Sequence, residues 1–347
     1  MGGNAFNGKT LPRIDKDKYQ SIIKKISDTL YENNMFNFYP LKQIGEKKDF
    51  GDVDILISNE YVNLSKLLVK VLSPDGSEYQ HTKNNNVYSL LIDDVQVDFI
   101  SIDWNKLDTI KVFYDYNDVG NLIGRLSRYN KCKFGPNGLF FDIYTEDKSR
   151  KLYEVFLSDD IKDIFKFLDL DFHVYNKGFD TYKEAFDFVL SSSAMNTLYY
   201  NSRAYINSKS YRRDKVRKTF NMFLDYIKDV DEVQEAEFIK DNDYKKTMNE
   251  CLDNINTHFP SVKIFDIYDE QKLNEKISKL NKEKYNGDVV SFITGLSGKE
   301  LGAFMKYLKD TYITNLNKKG KEIHQLNDVW LYIVIYFSYL KYDFLNK

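Results

Sequence analysis

Two aspartates flank a single valine at the head of an apolar run, Asp52-Val53-Asp54-Ile55-Leu56-Ile57-Ser58. The run alternates and is rich in β-branched residues, which predicts a strand over Asp52–Ser58. Side chains two apart in a strand share a face, so Asp52 and Asp54 project together while Val53 turns into a core. Adjacent carboxylates repel and are costly unless a cation lies between them. Mg²⁺ is the natural cation, with Mn²⁺ as its substitute, because it takes hard oxygen ligands and keeps waters and substrate phosphates.

A third carboxylate stands in Val95-Gln96-Val97-Asp98-Phe99-Ile100. Strands are predicted over Val87–Ile92 and Val95–Ile102, with Asp93-Asp94 as the tight turn between them. A charge in so apolar a strand needs a partner. Three acidic groups on neighbouring strands can hold two metal ions and serve an in-line phosphoryl transfer. Solvated strand ends would explain any one of these aspartates alone, but poorly explain three in this order. The preceding turn carries Gly45 and Gly51, which permit close approach of a phosphate. Lys47 and Lys48 beside them can meet a triphosphate as point charges; a plain surface turn with solvated lysines is the competing reading.

At these residues the sequence resembles the DNA polymerase beta-like nucleotidyltransferase superfamily. Gly45 matches its turn glycine, Asp52 and Asp54 its Asp-x-Asp pair, and Asp98 its third carboxylate. Glu46 departs from the pattern, standing where Ser or Gly is usual. GEKKDFGDVDILIS also resembles phage and large-virus nucleotidyltransferases. The resemblance spans roughly residues 15–105. It implies an α+β chain in which a small mixed β-sheet, palm-like nucleotidyltransferase domain is followed by a mostly helical region. Near the C-terminus, NGDVVSFITGLSGKELGAFMKYLK is similar to the tail of tRNA CCA-adding enzymes and poly(A) polymerases. Its Gly295, Gly298 and Gly302 would let a helix N-terminus approach phosphate, with Lys299 supplying charge; a helix–turn–helix connection with glycines for packing only is the competing reading. The Glu-Asp-x-x-Arg stretch by which CCA-adding enzymes select bases does not occur.

The rest of the chain reads as follows. Residues 1–14 form a flexible leader and 15–150 the catalytic domain. Residues 151–260 form a helical nucleotide- or nucleic-acid-binding region, and 261–347 a helical tail suited to RNA. Helices are predicted over Asp15 to Met35, Val62–Leu72, Asp159–Leu168, Tyr182–Ser191, Arg213–Lys228, Glu232–Phe259, Asp269–Lys284, Gly298–Lys309 and Gln325–Phe344. A short strand is predicted within Phe36–Gly45 and another over Leu139–Tyr144, after a Gly/Pro patch at Lys133–Gly138. The densest positive run, Arg212, Arg213, Lys215, Arg217 and Lys218, has tyrosines 199, 200, 205 and 211 interleaved before it. Arginines pair with phosphates and tyrosines stack on bases, so the run is a candidate nucleic-acid track, with a solvated basic helix start as the competing reading.

With 50 Lys and Arg against 52 Asp and Glu, the chain is not globally basic, and any nucleic-acid face is local. The two cysteines, Cys132 and Cys251, have no metal spacing, which suits a reduced compartment. The polar opening MGGNAFNGKT and the lack of a long apolar run predict a cytoplasmic protein with no membrane partner, in host cytoplasm if viral. The sequence therefore predicts a two-metal-ion enzyme that adds NMP from NTP to an RNA 3′ hydroxyl, releasing pyrophosphate. Nucleotidylation of a protein or small molecule and an inactive RNA-binding module are the other readings.

Overall fold

The computed structural model describes residues 6, 11–72, 82–84, 86–195, 200, 209–228, 246–284, 286–308, 310, 341–342 and 344–345. The chain divides into two compact units. One comprises Met1–Asp142 with Glu154–Ile264, and the other Ile143–Tyr153 with Phe265–Lys347.

The first unit begins with β1 (Ile14–Asp15) and α1 (Lys16–Glu32). The Asp15 side chain caps α1 by accepting from the Lys18 amide at 2.8 Å. Tyr19, Ile22, Ile26 and Leu30 then repeat at helical spacing and are buried. Next come β2 (Phe38–Pro40), β3 (Asp49–Phe50), β4 (Val53–Ser58), α2 (Leu64–Leu72), β5 (Thr82–Asn84), β6 (Val87–Ile92) and β7 (Val95–Ile102). The order β2-β4-β7-β6-β5 makes a five-stranded sheet in which β4 and β7 are parallel and the other pairs antiparallel. β1 pairs separately with β3, matching Ile14 to Phe50. Of the predicted leader, residues 1–5 and 7–10 lie outside the described residues, while Phe6 is buried.

Strand alternation sorts the sheet into two faces. Val53, Ile55, Ile57, Val95, Val97 and Phe99 pack against α1 and α2 in one core. The even-numbered positions take the other face, where Leu56, Ile100 and Ile102 meet Ile110 of α3 (Leu107–Tyr114). Both faces of the parallel pair are thus covered, as parallel strands require. Asp54 and Asp98 share that second face.

Beyond the sheet follow α4 (Val119–Leu126), β8 (Cys132–Gly135), β9 (Gly138–Tyr144) and β10 (Lys151–Ser158). The last three form a sheet of order β10-β9-β8. The Gly/Pro patch is the turn of a hairpin, since Gly135 pairs with Gly138, and the adjoining β8 and β10 were not predicted. Then come α5 (Ile161–Phe167), α6 (Phe172–Lys177), α7 (Tyr182–Leu190), α8 (Lys209–Asp214), α9 (Lys218–Lys228) and α10 (Met248–His258). The helix expected over Arg213–Lys228 is broken: Asp214 is buried and the chain turns between α8 and α9. Of the helix expected over Glu232–Phe259, residues up to 245 lie outside the described residues. The second unit holds all but the first residue of α11 (Ile264–Lys284), and α12 (Gly287–Thr294) and α13 (Gly298–Leu308). The helix expected over Gln325–Phe344 lies outside the described residues except at its last positions.

α3 crosses α4 closely at Gly120, where a Cβ would come 2.1 Å from the Phe113 carbonyl oxygen. Gly120→Ala is therefore expected to force the two helices apart at a cost of about 1–3 kcal/mol, the usual scale of overpacking. Chemical denaturation of the variant measures it.

Candidate active site

The parallel register sets Asp54 directly opposite Asp98, and Asp52 lies one alternation upstream on the same face. One carboxylate oxygen from each of Asp52, Asp54 and Asp98 lies within 4.8 Å of the other two. All three side chains are half-buried. Burial, then Asp52, then Asp98 push the Asp54 carboxyl well above the usual carboxylate range. Burial also pushes Asp98 up, opposed by side-chain hydrogen bonds from Ser89 and Gln96. The Gln96 Nε2 donates to Asp98 Oδ2 at 2.9 Å. The other oxygen, Asp98 Oδ1, is buried and without a hydrogen-bond partner. A cluster of hard anionic oxygens with one orphaned acceptor fits a divalent cation, which would satisfy the acceptor and offset the repulsion.

Lys47 stands beside this cluster. Its Nζ donates to Gln43 Oε1 at 2.7 Å and to Asn117 Oδ1 at 2.6 Å, and lies 4.7 Å from the Phe50 ring centroid. Tyr19 stacks on Phe50 at 4.0 Å. Burial draws the Lys47 ammonium below its ordinary pKa, while Asp52 and Asp54 draw it back up. Lys48 is exposed, and Gly51 is half-buried between Phe50 and Asp52.

Gly45 has a different setting. Its amide donates to the Phe179 carbonyl at 3.0 Å, and a Cβ there would come 2.9 Å from the Asp180 Cα. Close approach to the neighbouring loop accounts for this glycine without a phosphate. Glu46 is explained by the same junction. Its Oε1 accepts from the Tyr182 amide at 2.6 Å, adding an anion to the N-terminus of α7, where Thr181 and Glu184 already form a capping box.

The basic run divides in two. Arg212, Arg213, Lys215 and Lys218 are exposed, whereas Arg217 is paired with Asp118 and lies 3.8 Å from Asp214. Asp214 also accepts from Arg125 and from Asn121. Arg217 is thus held by carboxylates of its own chain, unlike the exposed cations beside it. Tyr200 is buried, and its hydroxyl donates to the Leu122 carbonyl at 2.9 Å. Residues 199 and 205 lie outside the described residues. Lys299 is exposed in the first turn of α13, and Gly295 and Gly298 take positive φ of 70° and 54°.

Sequence reasoning missed Ser89, Gln96, Gln43 and Asn117. Two of these had a signal. Gln96 is polar in an apolar strand two residues from Asp98, and counting back across the predicted two-residue turn pairs Ser89 with Asp98.

No protein-family model and no curated protein matches the chain. Solved structures that resemble it include polymerase beta of Leishmania infantum as a ternary P/T complex and as a ternary gap complex. They match at 13% and 14% identity with TM-scores of 0.32 and 0.31, each over 40% of this chain. The chain spans 61% and 53% of those neighbours' own length. A likeness this partial carries no functional argument, so the site stands on its own geometry. Among the described residues, no helix is long and apolar enough to cross a membrane.

Proposed function

We propose that the chain is a metal-dependent nucleotidyltransferase that moves a nucleoside monophosphate from an NTP to an RNA 3′ hydroxyl. The observation that carries this reading is the convergence of Asp52, Asp54 and Asp98, with an unpartnered Asp98 oxygen, beside a half-buried lysine. Asp52 and Asp54 would hold two Mg²⁺ ions and Asp98 would complete the site. When bound, the ions polarise the transferred phosphoryl group and acidify the attacking hydroxyl. The acceptor oxygen forms a bond to the α-phosphorus as the bond to pyrophosphate breaks, and Asp98 helps remove the hydroxyl proton. Lys47 and Lys48, with the backbone at Gly51, meet the departing phosphates. The exposed Arg212, Arg213, Lys215, Lys218 and Lys299 hold the RNA backbone.

Incubation with Mg²⁺, α-labelled NTPs and RNA tests this. Labelled RNA that disappears when the 3′ end is blocked supports it. Label on protein or a small molecule with no RNA present would overturn the acceptor assignment. Lys47→Ala is expected to raise KM for NTP about tenfold or more, equivalent to about 1.4 kcal/mol of lost phosphate contact. Steady-state kinetics checks it; an unchanged KM removes Lys47 from the nucleotide site.

A further inference from the structure

We propose that Ser89 and Gln96 are positioning residues that aim Asp98 at the metal position, an inference that rests on the metal-dependent reading above. The hairpin register places Ser89 directly across from Asp98, and Gln96 lies two residues along the same strand, so all three share one face. Ser89 and Gln96 are each 3% exposed. Gln96 Nε2 donates to Asp98 Oδ2 at 2.9 Å, and the Ser89 side chain, across the register, favours the charged form of the same carboxylate. Asp98 Oδ1 is buried and without a hydrogen-bond partner, and one oxygen of this carboxylate lies within 4.8 Å of oxygens of Asp52 and Asp54.

Nothing intrinsic to an aspartate fixes this arrangement, because its terminal torsion is broad. The Gln96 bond to Oδ2, with the buried Ser89 across the register, restricts that freedom and leaves the remaining oxygen for the ion. A buried amide and hydroxyl in an apolar strand pair are unfavourable unless bonded. A leucine at 96 and an alanine at 89 would satisfy packing alone. Partners of metal ligands act in this way, orienting the ligand without touching the ion.

The test is Mn²⁺ affinity by titration calorimetry, with the metal-free unfolding midpoint as a second readout, on wild type, Ser89→Ala, Ser89→Thr, Gln96→Leu and Ser89→Ala/Gln96→Leu. Loss of either donor is expected to weaken Mn²⁺ binding about 10-fold or more. The metal-free midpoint should fall little, and Ser89→Thr, which keeps the hydroxyl, should bind like wild type. If Gln96→Leu fails to fold, the comparison of Ser89→Ala with Ser89→Thr decides alone. Wild-type affinity in a folded Ser89→Ala, or in the double variant, overturns the inference. A wild type that takes up no Mn²⁺ overturns instead the metal reading on which it rests.

Discussion

An Asp54→Asn protein is expected to lose nucleotide transfer by on the order of 10³-fold or more, the scale on which removing one preorganised electrostatic group acts. It is also expected to unfold at higher temperature than wild type when both are free of metal. The second effect follows from the cluster itself. The Asp54 carboxyl is raised well above the usual range by burial, Asp52 and Asp98, in that order. A carboxyl with a folded pKa above its unfolded value binds its proton more tightly in the native state. Its contribution to stability is therefore lost as pH rises, from the unfolded value of 3.8 up through the folded one. Metal-free wild type should weaken as pH climbs through that interval, while the asparagine variant, with no such proton to release, should show a flatter profile. Mn²⁺ should then stabilise the wild type by binding the native state and leave the variant nearly unmoved. Thermal melts at stepped pH, with chelator or with Mn²⁺, separate these outcomes. A wild type whose midpoint ignores both pH and Mn²⁺ would mean that the three carboxylates are simply solvated.

The second large effect belongs to the tie beneath the basic run. Asp214 is 3% exposed and receives Arg125 and Asn121 of α4, with Arg217 close by. Asp214→Ala removes the anion and leaves the Arg125 guanidinium, itself 12% exposed, without its carboxylate. Breaking one side of a buried pair costs about 3–5 kcal/mol, mostly the penalty of the stranded charge. Denaturant unfolding should show that loss. An Arg125→Met/Asp214→Leu double replacement should recover much of it, because removing both charges ends the desolvation cost. If the single and double variants lose equal stability, packing rather than charge dominates at this junction. The RNA transfer proposed above should also suffer in Asp214→Ala, since the exposed cations on either side of Asp214 lose their anchor to α4.

The hairpin and the carboxylates were the most legible parts of the chain. Strands β6 and β7 match their predicted bounds because alternation and a two-residue turn are local signals. Asp93 and Asp94 adopt φ of 48° and 62°, the left-handed pair that such a turn demands. The third strand, β4, was legible for the same reason, as was the helical spacing of α1. Strands β3, β8 and β10 were not. β3 is too short to alternate, β8 hides behind a Gly/Pro patch, and the exposed aromatics of β10 blur its pattern. Their pairing comes from partners distant in sequence.

The sequence by itself determined that Asp52 and Asp54 share a face, that Asp98 sits on a hairpin arm, and that a lysine-bearing turn precedes the pair. These follow from the period of a strand and from turn chemistry, which act over a few residues. Only the tertiary structure decided that β4 and β7 lie side by side and parallel, which brings Asp98 opposite Asp54. Only it separated Arg217, paired with Asp118, from its exposed neighbours. It also showed Gly45 pressed against Asp180 and Glu46 capping a helix far along the chain. A side chain's freedom to meet a ligand depends on which distant groups already hold it, and residue spacing carries no record of those.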